Sequence, residues 1–201
     1  MKKGLLIVGG IIALLVIIVL MKIPGKHDEI VQNQESYKEA WGNVQVAYQN
    51  RADAISEMAE IVQQMSEEER KTYTEVVEAR SKATSLNINI DNIDPAKVKQ
   101  FMEYQSQISQ GLGRLIASFE KYPDLKQGDL YQDMLTETRG LENRISVARK
   151  RYNEEIKPYN NLVRGFWMKT LWSNFISLDM DEMPYFEAEQ TAQSAPKNIF
   201  N

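Results

Sequence analysis

The sequence predicts an all-α fold: an N-terminal transmembrane helix followed by an antiparallel up-down-up-down four-helix bundle with long first and fourth helices. Three observations carry this reading. Leu5 to Met21 is a run of seventeen residues without a charge or a polar side chain. Beyond Lys22 the chain is poor in Pro and Gly and rich in Glu, Gln, Lys, Arg, Ala and Met, a helix-forming composition. Finally, apolar residues recur there in steps of three and four over four separate stretches.

The apolar run comes first. With Gly4 it spans ~27 Å at ~1.5 Å per residue, close to a hydrocarbon core of ~30 Å. Lys2, Lys3 and Lys22 can snorkel to the two interfaces. A secretory signal begins in the same way, but its cleavage needs small residues at the spacing A-x-A, and Val19-Leu20-Met21-Lys22-Ile23-Pro24 offers none. The reading is therefore an uncleaved anchor: residues 1–4 a short tail, 5–21 the transmembrane helix, 22–29 a juxtamembrane linker. Lys2 and Lys3 balance Lys22 and Lys26 in the positive-charge count. Within that balance the expectation is a single-pass protein of the bacterial inner membrane with its soluble domain on the extracytoplasmic side.

Residues 30–165 carry the bundle. A seam of threes and fours runs from Ile30 through Tyr37, Trp41, Val44, Tyr48, Arg51, Ile55, Met58 and Val62 to Met65, broken only by polar Gln34 and Arg51. This heptad pattern predicts one helix of ~50 Å. Ser66 and Glu69 have capping-box spacing, so a second helix is expected from about Glu67 to Thr84, with Tyr73, Val76, Val77, Arg80 and Ala83 on its face. Ser85 to Asp94 alternates β-branched residues with Asn and Asp and reads as a loop. Asp94-Pro95 pairs an N-cap residue with a proline at the first helical position. The third helix then runs to about Lys121 on Val98, Phe101, Ile108, Leu112, Leu115 and Phe119, and Leu125 to Gly128 is its turn. A fourth helix from about Asp129 to Arg164 follows Tyr131, Met134, Thr138, Leu141, Ile145, Ala148, Tyr152, Glu155, Tyr159 and Leu162, with Pro158 set to kink it. Four amphipathic helices on short loops pack up-down-up-down. Because the middle two are shorter, they cover only the far end and leave a thinner stalk beside the membrane.

Several blocks resemble the LemA family: Glu39-Ala-Trp-Gly-Asn-Val-Gln-Val46, Asn50-Arg-Ala-Asp-Ala-Ile55, Glu78-Ala-Arg-Ser-Lys-Ala83, Glu142-Asn-Arg-Ile-Ser-Val-Ala-Arg-Lys-Arg-Tyr-Asn153, Pro184-Tyr-Phe-Glu-Ala-Glu189 and Ala195-Pro-Lys197. The resemblance implies a bacterial single-pass inner-membrane protein with an antiparallel helical bundle, and it implies no reaction. Such proteins often carry a proline shortly after the Arg-Ala-Asp motif. Ser56-Glu57 stands there in this chain, which favours an uninterrupted first helix.

Chemistry finds few candidates. There is no cysteine, and His27 is the only histidine, so di-iron bundle chemistry, thiolate metal sites and c-type haem are excluded. No His-Glu-x-x-His, Gly-x-Ser-x-Gly or phosphate-cradling glycine loop occurs. The expectation is no catalytic residue, no metal and no cofactor. A net charge of −4 with well-mixed signs points away from nucleic acid. Arg51 on the seam is the most unusual polar position, and antiparallel pairing of the long helices would bring it near Arg139, Glu142 and Arg144. The expected role is a register-fixing ion pair with Glu142 as counter-ion, set against an anion or ligand pocket inside the bundle.

Residues 166–182 form an aromatic membrane-proximal segment. Trp167 and Trp172 there, with Lys22 and Lys26, are the expected membrane-interface residues. Residues 183–201 form a C-terminal tail whose Tyr185, Phe186, Ile199 and Phe200 are expected to lie in the groove left open along the stalk. The function expected is a membrane-anchored scaffold or interaction protein. Its partners would be the lipid bilayer, membrane or envelope proteins, and further copies of itself. A ligand-sensing bundle acting through partner proteins is the alternative, and a charged pocket around Arg51 would favour it.

Overall fold

The computed structural model describes residues 2–165 and 181–187; within residues 2–27 it describes the side chains of 7, 9–11, 13 and 14 alone. All regular structure among these residues is helical. The elements are α1 (Lys2–Glu57), α2 (Ala59–Val62), α3 (Glu67–Ser85), α4 (Pro95–Ser118), a 3₁₀ turn (Phe119–Lys121), α5 (Pro123–Lys126) and α6 (Asp129–Arg164).

The directions of the helices follow from which side chains meet. Along α1 and α6, Tyr37 meets Tyr159 with ring centres 4.8 Å apart, Trp41 meets Tyr152 at 5.5 Å, and Arg51 meets Glu142 at 2.9 Å. One number rises as the other falls, so the two long helices are antiparallel. Glu75 with Arg114 and Glu69 with Lys121, each at 3.3 Å, make α3 and α4 antiparallel as well. Trp41 and Tyr48 pack edge-on against Phe101, and Arg51 further along α1 reaches Gln105 and Ser109 further along α4, which sets α4 parallel to α1. A side-chain carbon on Gly111 would stand 2.3 Å from Val76 Cγ2, so the missing Cβ is what lets α3 and α4 approach there.

The main core draws on α1, α3, α4, α6 and the 86–93 loop, with Trp41, Tyr152, Tyr159, Ile30 and Ile156 fully buried. A second cluster of Ile61, Val62, Met65, Phe119 and Tyr131 closes the end remote from the N-terminus. Each large apolar side chain removed from water contributes about 1.5–3 kcal/mol. The seam residues Ile30, Tyr37, Trp41, Val44, Tyr48, Ile55, Met58, Val62 and Met65 are all buried. In the loop, Ile88 and Ile93 are buried pegs, and Gln45 Nε2 reaches Ile88 O at 3.4 Å.

Four expectations need correction. The first helix does not run unbroken to Met65: α1 ends at Glu57, and Met58 separates it from α2. The cause is tertiary. Tyr73 of α3 donates its hydroxyl to Ile55 O at 3.0 Å, the carbonyl that Ala59 N–H would engage in an unbroken helix. A side chain entering the i→i−4 ladder bends or breaks it without any proline. Second, the Ser66–Glu69 capping box is not formed. Ser66 is the N-cap of α3 but makes no side-chain cap; its hydroxyl bonds the Glu69 carboxylate instead. Third, the expected 125–128 turn is partly taken up by α5, begun by Pro123 at a first-turn position. Fourth, the buried face of α6 passes through Ile156 and Val163, not Glu155 and Leu162. An ideal helix drifts ~20° per heptad against a strict seven-residue repeat, so the face moves on by one residue over this length.

α1 begins at Lys2. Its backbone stays helical through 22–29, the stretch expected to be a linker. Among the described residues no helix is long and apolar enough to cross a membrane. Most side chains of the Leu5–Met21 run lie outside the described residues, as do those of Lys22 and Lys26.

Candidate functional site

Two polar constructions interrupt the apolar core. The first is centred on Arg51, which α1 delivers into the space shared with α4 and α6. Arg51 is 2% exposed and donates from Nη1 to Ser109 Oγ at 2.7 Å and to Glu142 Oε1 at 2.9 Å. From Nη2 it donates to Gln105 O at 3.2 Å and to Gln105 Oε1. Its guanidinium carbon also lies 4.9 Å from the centre of the Tyr48 ring. A buried cation needs acceptors, and here three residues from two helices accept from Nη1 and Nη2. Glu142 is the more exposed member of the pair, its side chain 39% accessible against 3% for Arg51. Arg139 and Arg144 stand exposed on α6 and do not join this network.

Beside Arg51 lies a cavity of about 210 Å³ between α1, α3, α4 and the 86–93 loop. Its lining includes Ile55, Ile108 and Phe101, and its charged lining residues are Arg51 and Arg80.

The second construction is a clamp on residues 181–187. Asn160 Nδ2 donates to Met183 O at 2.8 Å while Met183 N–H donates to Asn160 Oδ1 at 2.9 Å. Asn153 repeats this pair with Phe186 at 2.8 and 2.9 Å. Arg164 bonds Glu182 at one end, and Arg149 donates to Glu187 O at the other. All four rungs stand on one face of α6, and the tail runs antiparallel to it. The register is dictated by arithmetic: seven helical residues rise ~10.5 Å, and three extended residues span ~10 Å. Phe186 fills the gap between Trp41, Tyr48 and Tyr152, under the Arg149 guanidinium at 5.1 Å. Met183 and Phe186 are 5% and 7% exposed, whereas Tyr185 is 37% exposed. Residues 182–187 thus lie along α6, while residues 188–201, the remainder of the tail expected in the stalk groove, are outside the described residues.

The sequence reading did not single out Asn153 and Asn160. Their signal is spacing: two asparagines seven apart, in a helix where asparagine is a poor former. Nearby, Trp41 Nε1 and Tyr152 OH are buried without a hydrogen-bond partner among the described residues, and burial pushes the Tyr152 phenol well above its ordinary pKa. At the remote end Glu69, 3% exposed, accepts from Ser66 Oγ, Tyr122 OH and Lys121 Nζ. The Ser66 bond, followed by those from Tyr122 and Lys121, outweighs burial and holds its pKa at about 2 against an ordinary 4.5. No group of three or more His, Cys, Asp or Glu able to hold a metal occurs among the described residues. Trp167 and Trp172 lie outside them.

This is an all-α protein whose long helices enclose a buried arginine and clamp an extended tail. Comparison with known families matches residues 40–200 to the LemA family, and the chain belongs to that family. It is similar to Protein LemA of Metamycoplasma hominis, 27% identical over 166 residues, covering 83% of this chain and 71% of that protein. A shorter stretch of 49 residues, 24% of this chain, is 41% identical to magnetosome protein MamQ 2 of Paramagnetospirillum magneticum and covers 18% of it. The corresponding magnetosome protein MamQ of Magnetospirillum gryphiswaldense is 39% identical over the same length, again 18% of that protein.

Proposed function

We propose that this chain is a membrane-anchored scaffold of the bacterial inner membrane: a single spanning helix continued directly into an antiparallel four-helix bundle, without a catalytic role. The observation that carries the reading is the change of character along one continuous helix. From Ile30 onward α1 buries its apolar seam, whereas Ile7, Ile11 and Leu14 near its start are 65%, 54% and 58% exposed. An uncovered apolar helix of that kind needs an apolar solvent, and a bilayer supplies one. The bundle would stand on the extracytoplasmic side, with Trp167, Trp172, Lys22 and Lys26 at the interface, and would present its surface to envelope proteins or further copies. The Arg51–Glu142 pair then serves to fix the register of α1 against α6.

The test separates anchor from domain. The full chain should sediment with membranes and resist alkaline extraction, while a chain beginning at residue 26 should be soluble, helical and cooperatively melting, because the buried seam begins at Ile30. A full chain released by alkali sinks the anchor; an unfolded or aggregated shortened chain sinks the domain boundary. One observation favours a second reading, a ligand-sensing bundle acting through partners: the cavity beside Arg51.

A further inference from the structure

We propose that the cavity beside Arg51 is a binding site for a small organic anion with a flat apolar body, of the size and shape of an aromatic monocarboxylate. The proposal rests on the second reading above, that the cavity takes a ligand, and adds the ligand's chemistry.

Size comes first. A dry cavity of ~150 Å³ accommodates benzene, so about 210 Å³ holds a six-membered ring with one small substituent. The walls then divide by depth. Ile55, Ile108 and Phe101, 1%, 2% and 8% exposed, form an apolar stretch of the inner surface beside the equally buried Arg51, whose Nη1 and Nη2 are already bonded to protein, whereas Arg80 has a side chain 28% exposed and stands at the rim. An apolar body would therefore enter first and leave its polar end beside Arg80.

Charge decides the nature of that end. The lining holds two guanidinium groups and no carboxylate. Both cations have counter-ions, but in each pair the carboxylate is the more solvated partner: 39% against 3% for Glu142 and Arg51, and 61% against 28% for Asp53 and Arg80. Water screens an exposed charge more strongly than a buried one, so the interior is left with a positive potential. Donors remain as well. The four Arg51 bonds all leave from Nη1 and Nη2, so this network does not use Nε–H. Arg80 bonds Ser56 Oγ from Nη1 at 2.6 Å, while its Nη2 stands 3.9 Å from Asp53, beyond hydrogen-bonding distance. A carboxylate at the rim would complete the Arg80 fork in the planar geometry that guanidinium favours. An inorganic anion would leave the inner apolar wall unfilled.

The experiment uses the full chain in detergent micelles, with 4-fluorobenzoate and its neutral analogue 4-fluorobenzamide as probes followed by fluorine NMR. Saturable binding of the acid is expected, with the amide weaker by roughly tenfold or more, the scale of one charge-assisted contact. Ala83→Leu, which fills the cavity, should abolish binding, and Arg80→Gln should reduce the preference for the acid; circular dichroism checks that both variants fold. Should Ala83→Leu fail to melt cooperatively, Arg80→Gln at the partly exposed rim still decides the question. Equal binding of acid and amide would overturn the anion assignment while leaving a ligand site. No saturable binding of either probe, or binding that survives Ala83→Leu, would overturn the site itself.

Discussion

Replacing Asn160 with alanine should release the tail. Asn160 is fully buried and meets both backbone groups of Met183, at 2.8 and 2.9 Å. Left in place without it, the buried N–H and C=O of Met183 would each cost about 1–3 kcal/mol. The chain has a cheaper response: the tail leaves, both groups rehydrate, and the loss becomes the free energy of docking Met183, Phe186 and the four rungs. The expected destabilisation therefore falls in the lower part of the range, about 2–3 kcal/mol. Thermal melts of the full chain in micelles measure the loss, and hydrogen exchange at Met183 and Phe186 reports its mechanism, because both amides donate to asparagine oxygens. Phe186→Ala detaches the same element, so the double variant should cost less than the sum of the two single changes. Exchange at Met183 that stays as slow in Asn160→Ala as in the parent, or strictly additive losses, would refute the view that residues 181–187 dock as one unit.

Three further outcomes follow from the same packing. Arg51→Ala should destabilise by about 1–4 kcal/mol, moderated because half-exposed Glu142 can rehydrate, and its combination with Glu142→Ala should fall short of additivity in denaturant melts. The Glu69 carboxyl has its folded pKa depressed to about 2 from 4.5, so its contribution is fully present above pH 4.5 and is lost as pH falls towards 2. Glu69→Gln should flatten that part of the curve of melting temperature against pH, and an unchanged acid limb would contradict it. Gly111→Ala should destabilise by about 1–3 kcal/mol through overpacking against Val76, whereas Gly113→Ala, with open space around it, should stabilise by up to about 1 kcal/mol through helix propensity. Equal effects at the two glycines in thermal melts would show that the α3–α4 approach is looser than described.

The sequence alone determined what depends on neighbours along the chain. Steps of three and four fixed where helices form, and Asp94-Pro95 fixed a start that the structure caps with a bond from Ala96 N–H to Asp94 Oδ1 at 2.8 Å. The bounds of α6, Asp129–Arg164, were likewise legible from local signals. Arg51 stood out because a charge on an apolar seam breaks a pattern visible in one dimension. Tertiary structure decided whatever depends on which faces meet. The break at Met58 was invisible because Ser56 and Glu57 are ordinary helical residues, and the hydroxyl that intervenes comes from Tyr73 on another helix. Gln105 and Ser109 complete the Arg51 shell only because α4 lies beside α1. Asn153 and Asn160 look like surface asparagines until the tail arrives, since a carboxamide on a helix carries no mark of what it will bond. Periodicity is a property of one helix, but a hydrogen-bond partner is a property of two, and the second is chosen by packing.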